Sequence, residues 1–379
     1  MARQWGREFP LDPGLIYLNH AAVGPWPIRT AEAIKRFVAQ NLNHACTDFS
    51  LWKEAETVRT RLARMLGAEV DDIAIVKNTS EAVSFVAMGL TFEPGENVVL
   101  PDCEFPSNRS PWQALEDRGV EVRLVDAAPE DRARALIEAC DARTRLVAAS
   151  TVQYDDGAQL DVAALAGFCR DRPILLFLDA IQSLGVLPLD VAALGVDFVA
   201  GGSHKWLLAP EGVGYFFARP EARSQLALQQ RGWRMNPSPF SFGRGDRQPA
   251  KTAHRFEPGT LNTLGMIGLE ASLSLLEEIG IAAVSEQILA NSRFLIEELD
   301  GTPGLKLVTP RHPEWHAGIV SFTLQNDPKA ALRLFGHLKQ QGIYAAERSG
   351  FLRLSPHFHT PREQLEITVS AIRAGLKIL

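Results

Sequence analysis

The chain has 379 residues, with 39 Lys or Arg against 45 Asp or Glu and a formal net charge of −6. That balance offers no basic field for nucleic acid or an anionic membrane to follow, and no apolar run reaches the roughly 18 residues that cross a bilayer. The length suffices for two domains at roughly 100–200 residues each.

The opening stretch MARQWGREFPLDPG has no apolar core after its charges and does not read as an export signal. Cys46, Cys103, Cys140 and Cys169 are scattered, with neither a CxxC nor metal-ligand spacing, which suits free thiols in a reducing compartment and no metal site. A cytoplasmic protein is expected.

In chain order, runs rich in Val, Ile, Leu and Phe fall at 73–76, 97–101, 120–125, 146–150, 174–179, 197–201 and 212–217. Between them, SEAVSFVAMGL, PSNRSPWQALEDRG, PEDRARALIEAC and DVAALAGFCRDR carry helical spacing. This alternation predicts an α/β fold whose seven-stranded, mainly parallel sheet is covered on both faces. Residues 231–259 are rich in Gly, Pro, Ser and Arg and predict a long loop, a length that often carries function. Beyond it the pattern predicts two consecutive helices, a strand at 319–324, a helix at 328–341, short strands around 344–347 and 351–355, and a last helix from 360. The expected division is a large domain over 1–265, whose segment 1–20 reaches the site, and a smaller α/β domain over 266–379.

Ligands of open α/β sheets sit beyond the carboxyl ends of the strands. Lys205, in VDFVAGGSHKWLLAP, follows one such end among glycines, an imidazole and apolar residues, so its amine is expected in a partly dry pocket with a lowered pKa. Asp179 closes the apolar run ILLFLD, where an unpaired carboxylate is costly without a cation or several donors, and Gln182 follows three residues on. Asn78, Thr79 and Ser80 stand between a strand and a helix, a place for a phosphate. Phe105 follows another strand end. Taken singly, a solvated lysine, an N-cap, ordinary helix capping and core packing account for each. Together they describe one ligand: an amine for an aldehyde carbon, a carboxylate for a pyridinium nitrogen, donors for a phosphate and a ring to stack on. That ligand is pyridoxal phosphate.

With these residues in place, the chain resembles the class V aminotransferase family of fold-type I pyridoxal-phosphate enzymes, which includes cysteine desulfurases, kynureninase and isopenicillin N epimerase-like proteins. DAIQSLGVLPLDVAALGVDF and SHKWLLAPEGVG carry the likeness, which runs from YLNHAAVGPWP to LRLSPHFHTP. The resemblance implies Lys205 as the Schiff-base lysine, Asp179 as partner of the pyridine nitrogen and Gln182 as donor to the ring hydroxyl oxygen. It implies Thr79 and His204 at the phosphate, with Ser80 and Ser203 beside them, and Phe105 as the stacking ring. Thr260, in RFEPGTLN, would reach the phosphate of the other subunit's cofactor, which implies a homodimer with sites at the interface. Arg353, in FLRLSPHF, would hold the α-carboxylate of an amino-acid substrate, a task that suits the bidentate guanidinium fork. Asn19, His20 and Tyr154 would line the pocket.

The chain departs from the family in two places. HLKQQGIYAAERSGFLRLS has no cysteine where desulfurases carry their nucleophile, and Gly202 stands where many members have a serine, with Ser203 displaced by one. Transamination therefore ranks first, a lyase or desulfurase-like reaction without the cysteine second, and epimerisation third. A cofactor-binding protein without catalysis is the reading from another class. No GxGxxG follows the early strands, which argues against a dehydrogenase. Arg231, Arg234, Arg244 and Arg247 of the long loop either recognise a second acidic group or stay solvated.

Overall fold

The computed structural model describes residues 2–45, 47, 51–240, 248–324, 329–348 and 350–378. Cys46, Arg244, Arg247 and the expected helix start at 328 lie outside these residues.

Strands β1 (Ile16–Tyr17), β2 (Ile73–Val76), β3 (Asn97–Pro101), β4 (Glu121–Val125), β5 (Thr144–Ser150), β6 (Leu175–Asp179), β7 (Phe198–Gly202) and β8 (Gly214–Ala218) come first in the chain. β2 to β8 form the seven-stranded sheet in the order β2-β8-β7-β6-β5-β3-β4. The pairs β3–β4, β3–β5, β5–β6 and β6–β7 are parallel, whereas β8 runs antiparallel to both of its neighbours. Every residue of β6, β7 and β8 is buried, as strands covered on both faces require. Alternate side chains feed two cores, Leu176, Leu178 and Val199 on one face and Phe177, Phe198 and Ala200 on the other, which is the period of two along a strand.

A four-stranded antiparallel sheet follows, formed by β9 (Leu305–Leu307), β10 (Val320–Leu324), β12 (Ala346–Arg348) and β13 (Phe351–Leu354) in the order β12-β13-β10-β9. Its core joins Leu305, Phe322 and Leu354 to Leu295, Leu334 and Leu365 from helices Ile281–Leu299, Ala330–Gln340 and Arg362–Leu376. The N-terminal β1 crosses to this part of the chain and pairs in parallel with β11 (Ile343–Tyr344).

Two features differ from the sequence expectations. Residues 106–119 break into short turns around a single helical turn at Ser110–Gln113, because Pro106 and Pro111 cannot donate to a continuing helix. Helices Ile28–His44 and Leu51–Leu66 are additional elements, and both pack on Thr263–Ile279. Among the described residues no helix is long and apolar enough to cross a membrane, and no group of His, Cys, Asp and Glu has metal-binding geometry.

Candidate active site

Three strand ends of the large sheet meet at the site. β6 ends on Asp179, which lies opposite Ala200 of β7 in register, and the chain leaving β7 reaches Lys205 three residues after Gly202. Gly201 is required for this approach: a Cβ there would fall on the Tyr215 hydroxyl, which donates to the Ala180 carbonyl at 3.3 Å. Asp179 is 2% exposed and accepts one hydrogen bond, from Ile181 N at 2.9 Å. Burial pushes its carboxyl up to about 7, with Glu104 adding to the rise and Lys205 opposing it. The same cause acts in reverse on Lys205, whose amine is brought down to about 8 by burial and further by Arg353 and Arg348, while Asp179 holds it up. Its Nζ stands 5.7 Å from the centre of the exposed Phe105 ring.

The N-terminal segment closes the back of the site. Gly24 N donates to the His204 carbonyl at 2.7 Å, and a Cβ at position 24 would lie 2.5 Å from the Lys205 carbonyl oxygen. The Gln182 amide donates to the Ala21 carbonyl at 3.0 Å and accepts from the Trp206 indole at 2.8 Å, so the amide group is held in one orientation. His204 is held below its ordinary pKa by burial and by Lys205.

At the start of helix Thr79–Gly89 the capping is done by Asn78, whose side chain accepts from Glu81 N at 2.9 Å. Thr79 is thereby released from the helix cap: its Oγ1 is buried and has no hydrogen-bond partner. A buried hydroxyl without a partner is a cost that a bound acceptor removes. Ser80 points outward and bonds Ser107 Oγ at 2.9 Å. Ser203 is set apart from the expected phosphate group, since its hydroxyl is fully buried and donates to the Val213 carbonyl at 2.7 Å, closing the turn back into β8.

Arg353 projects from β13 and is 2% exposed. Nη1 donates to the Tyr154 carbonyl at 2.5 Å, Nε has no partner, and no carboxylate pairs with the guanidinium among the described residues. Burial first, then Arg348, brings its pKa down to about 10. Tyr154 also packs edge-on against Phe105, at 5.1 Å between centroids. Asn19 bridges Ser355 and keeps Oδ1 buried and unpartnered. His20, expected to line the pocket, is instead fully buried with both ring nitrogens engaged, at Ser355 O (2.9 Å) and at His359 Nε2 (3.3 Å). Thr260 lies elsewhere, in a cleft of about 480 Å³ lined by Val76, Lys77, Glu81, Gly212 and Phe256, to which none of Lys205, Asp179 and Arg353 contributes.

Sequence reasoning passed over Glu104, although it stands beside Phe105. It is buried, accepts from Ser150 N and Oγ at 2.6 Å each and from Gln153 Nε2 at 2.8 Å, and ties the end of β3 to the loop that carries Tyr154.

The family model described as Aminotransferase class-V matches residues 16–377. The chain belongs to this family. A probable cysteine desulfurase of Methanothermobacter thermautotrophicus is 31% identical, covering 95% of this chain and 94% of its own. The isopenicillin N epimerase of Streptomyces clavuligerus is 30% identical over 96% of each. Among solved structures, a variant of C-DES with glycine covalently linked to its PLP cofactor has a TM-score of 0.89 at 26% identity, covering 97% of this chain and 98% of its own. The same protein, named a cystine C–S lyase, is also known in complex with its reaction product cysteine persulfide, with a TM-score of 0.87. The class-V chain described here has the fold-type I architecture of these proteins, and its cofactor is pyridoxal 5'-phosphate.

Proposed function

We propose that this class-V protein takes an α-amino acid by its α-carboxylate and moves the proton on the amino-bearing carbon, in the service of eliminating a sulfur leaving group from the next carbon. The observation that carries this reading is Arg353: a buried guanidinium with no carboxylate partner, on the same pocket as a buried lysine amine. Leaving such a charge unpaired is expensive, and a ligand carboxylate would supply the missing partner.

The residues fit the cofactor through what they leave unsatisfied. Lys205 would bond the aldehyde carbon, since an amine lowered to about 8 keeps a larger neutral fraction near physiological pH than an exposed lysine does. Asp179 would pair with the ring nitrogen, Thr79 Oγ1 and His204 would face the phosphate, Phe105 would cover the ring, and the remaining amide hydrogen of Gln182 would serve the ring oxygen. When bound, the cofactor supplies an electron-poor ring that takes up the electron pair left at the substrate carbon. With a substrate amine in the pocket, Lys205 would be the base that removes the proton and the acid that returns one.

Elimination is favoured over a thiol-based desulfurase reaction because the described cysteines are poor nucleophiles: burial pushes Cys103 and Cys169 up to about 12 and Cys140 to about 11. Lys205 and Arg353 serve transamination equally, and it becomes the second reading only because of the likeness to a cystine C–S lyase. Thr260, remote from the Lys205 pocket of its own chain, fits a homodimer in which each subunit completes the other's phosphate site. The test is to incubate the purified holoenzyme with L-cystine, and separately with L-alanine and a keto acid. Pyruvate, ammonia and sulfane sulfur from cystine support elimination. A new amino acid in the second mixture, with none of these in the first, overturns it in favour of transamination.

A further inference from the structure

We propose that Arg348 forms a second anion subsite beside Arg353, so that the substrates of this pocket are amino acids whose side chain carries an acidic group. The inference rests on Arg353 as the α-carboxylate clamp. In the antiparallel pair β12–β13, Ala346 lies opposite Arg353 and Arg348 opposite Phe351. Residues directly opposite share a face of the sheet, and so do residues two apart on one strand. Arg348 and Arg353 therefore project from the same face as diagonal neighbours, a step of roughly 7–8 Å that long side chains bridge.

Both guanidiniums act on the same pocket: each bears on the Lys205 amine and on the Tyr154 hydroxyl. The acidic residues nearby are otherwise engaged. Glu347 alternates to the opposite face and accepts from Gly350 N at 2.8 Å. Asp156 pairs with Arg132 at 2.9 Å, and Asp155, which bears on Arg353, is itself held toward its neutral form by burial and by Asp156. Neither Arg348 nor Arg353 has an ion pair among the described residues. Two like charges held on one face without an anion between them are unfavourable, and a ligand with two acidic groups relieves both.

The depth of each arginine assigns the groups. Arg353 is buried and takes the α-carboxylate, whereas Arg348 is exposed at the rim and takes the distal group, a carboxylate or an oxidised-sulfur acid. The loop residue Arg234 does not compete for this role, because it is buried against Glu257 at 3.2 Å.

Binding of matched pairs to the holoenzyme tests the proposal. L-aspartate against L-asparagine and L-glutamate against L-glutamine are titrated at low ionic strength, following the cofactor absorption band. Each acid is expected to bind roughly tenfold more tightly than its amide, and Arg348→Gln is expected to bring that ratio close to one. Arg353→Gln weakens acids and amides together. A wild-type ratio near one, or a ratio that survives in Arg348→Gln, overturns the proposal. If no amino acid perturbs the band, the amino-acid reading of the site falls first and takes the subsite with it.

Discussion

Asp179 and Lys205 sit on neighbouring strand ends, and burial drives both toward their neutral forms from opposite directions, to about 7 and about 8. An amine attacks an aldehyde only when neutral, so adduct formation with the cofactor-free protein is expected to rise with pH through a midpoint near 8 and to level off above it, well below the range of an exposed lysine at roughly 10.4. Asp179 raises the Lys205 pKa, and Asp179→Asn removes that support; the midpoint of the profile should move to lower pH. A shift upward, or none, would show that the two side chains do not sense each other. Lys205→Ala should yield no borohydride-fixed adduct by mass spectrometry, and an adduct retained in that variant places the bond on another amine.

Strand and helix ends determine how much of this was legible beforehand. Asp179 closes an apolar run, and Thr79 and Lys205 follow one within a short polar or glycine-containing stretch, so the strand pattern pointed to them. Arg353 came from the resemblance alone, since a four-residue strand near the C-terminus has no composition that marks a clamp. The bonding of His20 was not legible because its partners, Ser355 and His359, lie 335 and 339 residues away in the chain. Helix Ile28–His44 buries only Thr30 within this chain, so its apolar residues do not mark it as part of the core. Helix Leu51–Leu66 buries Ala55, Val58, Leu62 and Leu66 at helical spacing, and on the same helix Arg59 enters an ion cluster that no periodicity announces. Arg59 Nη2 meets both Glu257 oxygens at 2.6 Å, Arg234 Nε meets Glu257 Oε2 at 3.2 Å, and Ile75 N donates to Glu257 Oε1 at 2.8 Å, all of them buried. Removing one partner strands the other charges, so Glu257→Ala should cost about 3–5 kcal/mol in urea unfolding. Glu257→Gln, which keeps the shape and one acceptor oxygen, should cost less. Equal and small losses in both would mean the cluster is solvated in solution.

Across the whole molecule, the N-terminal segment, the loop carrying Lys205 and the C-terminal residues 355–360 are joined by His20, His357 and His359, all fully or nearly fully buried. Their hydrogen bonds select one set of tautomers. His20 Nδ1 faces the Ser355 carbonyl and must carry the hydrogen, so His20 Nε2 accepts and His359 Nε2 donates across 3.3 Å. His357 Nδ1 accepts from Phe358 N at 2.9 Å, and its Nε2 donates to the Trp206 carbonyl at 3.2 Å. Each ring is neutral, and a further proton on His20 or His357 would set one N–H against another. His359 Nδ1 is the free position, buried and without a partner, on a ring stacked at 3.6 Å over Phe9. Tyr17, edge-on to His20, is the titratable phenol at the cluster, and it stays protonated because burial first, then Tyr344, raises it to about 12. Burial holds His20 down to about 4 and His357 and His359 well below their ordinary value. A folded pKa below the unfolded one means that the unfolded chain binds more protons, so this contribution to stability is complete above about pH 6.5 and is lost as pH falls toward 4. The midpoint of thermal unfolding should therefore drop across that window, and the cofactor should leave with the same midpoint, since Trp206 follows Lys205 directly. His359→Phe keeps a ring over Phe9 and removes one of the groups that must charge. Its decline with acid should be shallower than that of the wild type, and an equal slope would remove His359 from the cause.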